Sequence, residues 1–470
     1  MLNAFLNIFR IPDLRNKVLF TLGMLVIYRI GFWVPLIGVD QTQLAESAAK
    51  ATQDSSGFGR IAQFASIFSG GSLSQSTIFG LGIMPYITAS IIFQLLNSVL
   101  PGLQELKKEG ASGQQKISEW TRYATVGLCI VQAIMWLSYL RTNNLVQPQF
   151  LSGGSSMIFF ASGIVGLTAG SVFLMWLGEQ IDKYGIGNGV SVILTAGILA
   201  RLPEAIQWII SEFNPSQQGD GGGIGLLEVI FLASSFILVT AGAILITVAQ
   251  RRIPIQQAKH TRDGRKVVGG QRHYLPLRIN HAGVMPIIFA SSLMIFPSAI
   301  FGWLNTRASQ GGSPDWWMST TGFLADNFQI GAYPYVIFEI ILIYFFSYFW
   351  TTVQFSPDDM SKQLKQYGSF IPGIRPGPRT AEYLETVMER ITYVGAGFLA
   401  IIAIIPTMIA ERLQIPFFVA SFLGGTGLLI VVSVGLDIIQ RIEANLLMRN
   451  YAGFLSGDGK GGSKIRSRRN

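Results

Sequence analysis

Cysteine is almost missing from this 470-residue chain: Cys129 stands alone, which excludes an intrachain disulfide and a cysteine-built metal cluster. Histidine is nearly as scarce. His260, His273 and His281 lie near one another in the sequence but lack the HExxH spacing of a zinc protease. The tail GDGKGGSK has glycines and lysines, but not in the GxxxxGKS/T order of a phosphate loop. No catalytic residue, metal or cofactor is therefore expected, and energy for directed work has to come from a partner or an ion gradient. Charge is also sparse. Only 13% of residues are Asp, Glu, Lys or Arg, against roughly 25% in soluble domains.

What fills the chain instead is apolar. Half of the residues are hydrophobic and 52 are glycine. A span of about 20 apolar residues crosses a bilayer, and the sequence has room for about ten such spans. A soluble fold of about three domains is excluded. The first block runs from about Lys17 to Val34 and the second from about Ile78 to Leu100. The rest lie near 121–140, 157–177, 189–210, 226–249, 282–303, 331–350, 391–410 and 419–438. No cleavable signal peptide is evident at the start. Leu2, Phe5, Leu6 and Phe9 recur there at helical spacing, which suits either a short helix on the membrane surface or a frayed terminus.

The formal charge of +9 invites a nucleic-acid reading. Its distribution argues for topology instead, because Lys and Arg collect on the cytoplasmic side of membrane proteins. With the N-terminus inside and ten spans, 28 of the 35 Lys and Arg fall on inner segments. The outer segments hold Lys50, Arg60, Arg141, Arg307 and Arg412, while Arg29 and Arg201 lie within spans. Both termini are therefore expected in the cytoplasm. The inner loops 250–281 and 351–390 carry more charge than topology needs. In the first, Asp263-Gly264 predicts a hairpin turn between short extended arms. In the second, the prolines and glycines of IPGIRPGPRT predict a rigid, non-helical shape that presents Arg375 to a partner.

The glycine-rich stretch Gly219 to Gly225 divides the chain into two sets of five spans. An odd number per half means that, if the halves are structural repeats, they are oppositely oriented. The expected organisation is an N-terminal half over 1–218, a C-terminal half over 219–450 and a basic cytoplasmic tail over 451–470. No convincing sequence identity links the halves.

Inside the spans, Arg29, Glu179 and Glu339 stand apart, with no ladder of acids to relay protons. Before the second span, Ile61, Phe64, Ala65 and Phe68 recur at helical spacing ahead of Ser69-Gly70-Gly71-Ser72. A piece this short cannot cross about 30 Å at about 1.5 Å per residue. It is either re-entrant or interfacial. Pro85 and Pro286 sit in similar Gly-x-Met-Pro settings and are expected to kink the second and seventh spans. Gln94 and Asn97 share a face of the second.

Five long stretches carry a family resemblance: FSGGSLSQSTIFGLGIMPYITASIIFQLL, GIGNGVSVI, GRKVVGGQRHYLPLRINHAGVMPIIFASS, IPGIRPG and FLGGTGLLIVVSVGLD. In this order the chain resembles the bacterial SecY family, the central subunit of the protein-conducting channel. The resemblance implies an all-α polytopic membrane protein. Its ten transmembrane helices would form two inverted five-helix halves around an hourglass pore. It implies a constriction ring of Ile83, Ile87, Val190, Leu194, Ile288 and Ile430; Val190 and Leu194 depart from the family's isoleucine but keep the ring apolar. It implies a plug helix near 60–71 with Ile61, Phe64, Ala65 and Phe68, which favours the re-entrant alternative. A gate between the second and seventh spans would hold Gln94 and Asn97 and release hydrophobic segments sideways into lipid. Arg265, Lys266 and Arg375 would dock the ribosome, through RNA phosphate, and the motor ATPase SecA. The implied partners also include the small subunits SecE and SecG, signal sequences and the lipid of the bacterial inner membrane. The polar stretch AESAAKATQDSSG in the first outer loop has no implied role. A rival reading, an inverted-repeat transporter of a small solute, calls for a polar or charged mid-membrane site that the sequence lacks.

Overall fold

The computed structural model describes residues 12–44, 76–142, 145–150, 154–213, 224–257, 260–262, 266–268, 272–310, 314–329, 331–413, 415–416, 419–420, 422 and 425–455. The expected plug, Ile61, Phe64, Ala65 and Phe68 included, lies outside them, as do Arg265, the Asp263-Gly264 turn and the N-terminal segment Leu2–Phe9.

Helices cover each apolar block of the sequence. The first is α1 (Pro12–Gly31), followed by α2 (Met84–Val99) and the short α3 (Pro101–Lys108). Next come the long α4 (Ala111–Thr142) and α5 (Gly154–Tyr184). The fifth block is two helices, α6 (Gly189–Ala200) and α7 (Leu202–Glu212), because Pro203 starts a new helix more readily than it continues one. After α8 (Leu226–Val248), the chain forms α9 (Met285–Gln310), α10 (Asp315–Asn327) and α11 (Tyr333–Gln354). It ends with α12 (Pro357–Gln366), α13 (Pro378–Leu413) and α14 (Thr426–Leu455). Among the described residues, six helical stretches are long and apolar enough to cross a membrane. At 16 residues, α2 covers only about 24 Å; the turns of residues 76–83 precede it.

Burial runs opposite to that of a soluble bundle. Leu227, Leu238 and Leu245 of α8 are 82%, 70% and 69% exposed, whereas Thr125 and Ser171 of α4 and α5 are almost fully buried. Apolar side chains outside and hydroxyls inside suit a lipid solvent. The chain is an all-α polytopic membrane fold with several apolar spans.

The principal helix contacts form two matching sets. In the first, α1 packs on α5 and α6, α2 on α4 and α5, α4 on α5, and α5 on α6. In the second, α8 packs on α13 and α14, α9 on α11 and α13, α11 on α13, and α13 on α14. Exchanging the first to fifth blocks for the sixth to tenth turns one set into the other. The sets meet where α2 packs on α9 and α6 on α14.

The inner loops fold into a separate platform. Strand β1 (Gln250–Gln257) pairs antiparallel with a later strand over Arg272–Arg278, in register from Gln250↔Arg278 to Gln256↔Arg272. Between them lie β2 (His260–Arg262) and β3 (Lys266–Val268), paired from His260↔Val268 to Arg262↔Lys266, so the extended arms expected around Asp263-Gly264 are present. The Arg272–Arg278 strand is β4. The short β5 (Ser369–Phe370) of the other loop joins the far edge of β1, giving the order β4-β1-β5. Thus the two loops share one sheet. Much of 351–390 is helical, in α12 and the start of α13; the expected non-helical shape is confined to 371–377.

The GIGNG motif has a packing reason. Asn188 caps α6 by accepting from the Ser191 amide at 3.1 Å, and the Gly189 amide donates to Asp182 at 2.8 Å. A Cβ on Gly189 would collide with the Gly178 carbonyl of α5. Gly189→Ala is expected to destabilise the fold by about 1–3 kcal/mol, seen as a lower thermal midpoint in detergent. Gly102→Ala, with nothing within 4 Å of the added carbon, leaves the midpoint unchanged.

Candidate pore and docking surface

The prolines expected to kink the second and seventh spans instead begin helices. Gly82 and Gly283 have φ of 60° and 64°, a left-handed turn from which α2 and α9 each start at the following Met-Pro. In a first turn the missing N–H costs nothing and the fixed φ is already helical. Ile87 and Ile288 both lie two residues beyond their proline, and Ile83 is the N-cap of α2. Ile83, Ile87, Leu194, Ile288 and Ile430 are buried members of one apolar cluster, and half-buried Val190 packs against it. All six ring candidates thus belong to or pack against one large apolar cluster, which also holds residues of α1, α5, α8, α11 and α13.

Gln94 and Asn97 are half-buried on α2, the helix that packs on α9. Gln94 Nε2 donates to Ser90 Oγ at 3.1 Å. The buried Gln94 Oε1 and Asn97 Oδ1 have no hydrogen-bond partner among the described residues.

Arg29, Glu179 and Glu339 of the spans sit apart from one another, on different helices. Arg122 of α4 grips Glu179 of α5 with two hydrogen bonds, Nε to Oε1 at 2.8 Å and a terminal nitrogen to Oε2 at 3.0 Å. The Arg29 guanidinium lies 5.6 Å from the centre of the Phe32 ring, a cation–π distance. Glu339 is buried on α11. Among the described residues no group of three His, Cys, Asp or Glu is placed to hold a metal. Outside the spans, the Thr42 hydroxyl and backbone amides hold Asp40 below the usual carboxylate range. Burial, then the charge of Arg278, hold His281 below the usual histidine range. The stability this neutral form contributes is present above about pH 6.5 and lost as pH falls below it.

The platform has its own core of Ile253, Leu277, Phe355, Ile371, Leu384, Met388 and Ile391. Ile253 and Ile255 alternate inward along β1 while Arg252 and Pro254 face out, the period-two pattern of a half-buried strand. Arg251, Arg252, Arg272, Arg375 and Arg379 are exposed on it. Lys266 lies in β3. The Arg375 turn is clamped by hydroxyls that sequence reading missed: Thr380 Oγ1 donates to the Arg375 carbonyl at 2.9 Å and Ser361 Oγ to the Gly377 carbonyl at 2.7 Å. Nothing local announces them, because Ser361 comes from a different helix. A further tie, from the Arg278 guanidinium to Gln440 Oε1 at 2.8 Å, fastens the platform to α14.

These features define a multi-pass α-helical membrane protein built of two helix sets and a basic platform. Similar solved structures include one described as a protein-conducting channel, with a TM-score of 0.59, 18% identity and 95% of both chains covered. Another is Sec61 in a canine ribosome–channel complex from the endoplasmic reticulum, with a TM-score of 0.54, 17% identity and the same coverage. At that identity the likeness shows the fold. The SecY family profile matches residues 77–439. Protein translocase subunit SecY of Streptomyces griseus is 44% identical over 467 residues, 97% of this chain and 100% of that protein. The Thermotoga maritima protein of the same name is 38% identical over 470 residues, 100% of both chains. The chain belongs to the SecY family.

The hydroxyl clamps set the shape of the Arg375 turn. Replacing Ser361 by Ala or Thr380 by Val is expected to speed hydrogen exchange at the Ile374 and Thr380 amides. The effect is about fivefold, the equivalent of about 1 kcal/mol for one hydrogen bond. Amides of α5 keep their rates.

Proposed function

We propose that this chain is the protein-conducting channel subunit of a bacterial translocase, passing unfolded polypeptides through its apolar neck and releasing hydrophobic segments sideways between α2 and α9. The observation that carries this is that Ile83, Ile87, Val190, Leu194, Ile288 and Ile430 all belong to or pack against the one apolar cluster that runs through both helix sets. A translocating chain varies in side chain, so a fixed polar site would stall some segments. An apolar ring offers no such partner and excludes water when narrow, which hinders ion leakage. A solute carrier would need a polar site at this interface.

The ten spans form two inverted halves, 1–218 and 219–450, with both termini in the cytoplasm, in the bacterial inner membrane. The matching helix contacts and the paired Gly-x-Met-Pro starts of α2 and α9 support this arrangement. The segment near 60–71 is the plug. Energy comes from outside the chain, which is passive. Arg265, Lys266 and Arg375 dock SecA and the ribosome, SecE and SecG complete the complex, and signal sequences open the gate.

Reconstitution with those subunits, a secretory preprotein, SecA and ATP is expected to protect the preprotein from added protease; no dependence of protection on this chain would refute the channel role. Arg375→Glu should reduce the protected fraction by on the order of tenfold, with membrane insertion of the channel unchanged. Asn97→Leu should shift the hydrophobicity at which a graded series of test segments enters the membrane. Identical insertion along the series would remove Asn97 from the gate.

A further inference from the structure

The link from β4 to α9, residues 279–284, is wedged between α11 and α13. The Ile279 amide still donates to the Ala249 carbonyl at 3.0 Å, so the platform's hydrogen bonding reaches the root of α9. A Cβ added at Gly395 of α13 would lie 2.8 Å from the Ile279 carbonyl, so the link has no slack on that side. Beside it is a small polar pocket of about 10 Å³ whose lining includes Asn280, His281, Ser347, Thr351 and Thr392. Asn280 is 8% exposed and Ser347 2%. Asn280 Nδ2, His281 Nδ1 and Ser347 Oγ have no protein partner among the described residues. The threonines are engaged: Thr392 Oγ1 donates to Thr351 Oγ1 at 3.2 Å, and Thr351 Oγ1 to the Ser347 carbonyl at 2.8 Å.

Buried polar groups are rarely left unpaired. One water needs roughly 10–15 Å³ and two to four polar partners, which this pocket supplies as donor from Asn280 and acceptors from Ser347 and the His281 ring. We infer that the pocket seats one ordered water, and that Asn280, through this water, is the positioning residue that sets where α9 rests against α11 and α13. The inference rests on the reading of α9 as a gate helix. A bridge made of water can exchange partners when a docked partner pulls on the platform, so α9 can shift without leaving a buried group stranded. A dry apolar contact at the same point would hold α9 without that hydrogen-bonded choice.

The test reconstitutes the complete channel complex in planar bilayers and measures resting ion conductance without substrate. Asn280→Leu and Ser347→Ala are each expected to raise it on the order of tenfold, because each strands the polar group opposite. The double variant removes both ends of the bridge and is expected to conduct less than either single one, a non-additivity that separate local damage would not give. A density map of the complex fine enough to show ordered waters is expected to show one between Asn280 and Ser347. No density there, or single variants that conduct like the parent while Ile288→Ser leaks, overturns the inference and leaves the channel reading standing. If Ile288→Ser fails to leak as well, both fall.

Discussion

A helix bundle in lipid gains little by hiding apolar side chains, since the lipid tails outside are as apolar as the core. Close approach of backbones has to supply the cohesion, and the structure depends on it. At Gly189 the start of α6 lies against Gly178 of α5, and at Gly170 α5 lies against the Ile78 carbonyl, with no room for a Cβ at either. These contacts are made within one helix set. Polar pairs add direction: Arg122 to Glu179 holds α4 on α5, and Trp136 donates to Ser76 at 3.2 Å, fixing the chain ahead of α2. The two sets themselves meet where α2 packs on α9 and α6 on α14.

The proposed neck would invert what a binding site ordinarily does, its side chains serving by what they do not recognise. Helices α2 and α9 begin alike, each with a left-handed glycine and then Met-Pro, and so deliver Ile87 and Ile288 to comparable positions. The platform leads into this same end of α9. Its sheet joins the two inner loops, its core packs on the start of α13, and Arg278 ties it to α14. A partner held there has a covalent route to α9 through residues 279–284 and a second, side-chain route to the helix carrying Ile430.

Much of this was legible in the residue order. Uninterrupted apolar runs located the helices, because a backbone in lipid must satisfy its own hydrogen bonds. The hairpin arms around Asp263-Gly264 followed from turn chemistry. The resemblance supplied the six ring candidates, and all of them belong to or pack against one apolar cluster. Other features were misread or unseen. Pro85 and Pro286 were expected to kink spans, yet a proline's effect depends on whether its residue lies in the first turn, and that depends on the glycine turn before it. The extent of helix in 351–390 was hidden because α12 is polar and carries no membrane-length run. Ser361 and Thr380, which shape the Arg375 turn, are unremarkable hydroxyls until α12 and α13 bring them to it.

By itself, then, the sequence determined the solvent, since long apolar runs commit the chain to lipid, and set an expectation for the side through the clustering of Lys and Arg. Both are sums over local composition and need no partner in space. Only the tertiary structure decided which helices meet, that α2 faces α9 and α6 faces α14, and that Glu179 answers Arg122. Those pairings join residues far apart in the chain through backbone fit and single hydrogen bonds. Such terms exist only once the helices are packed.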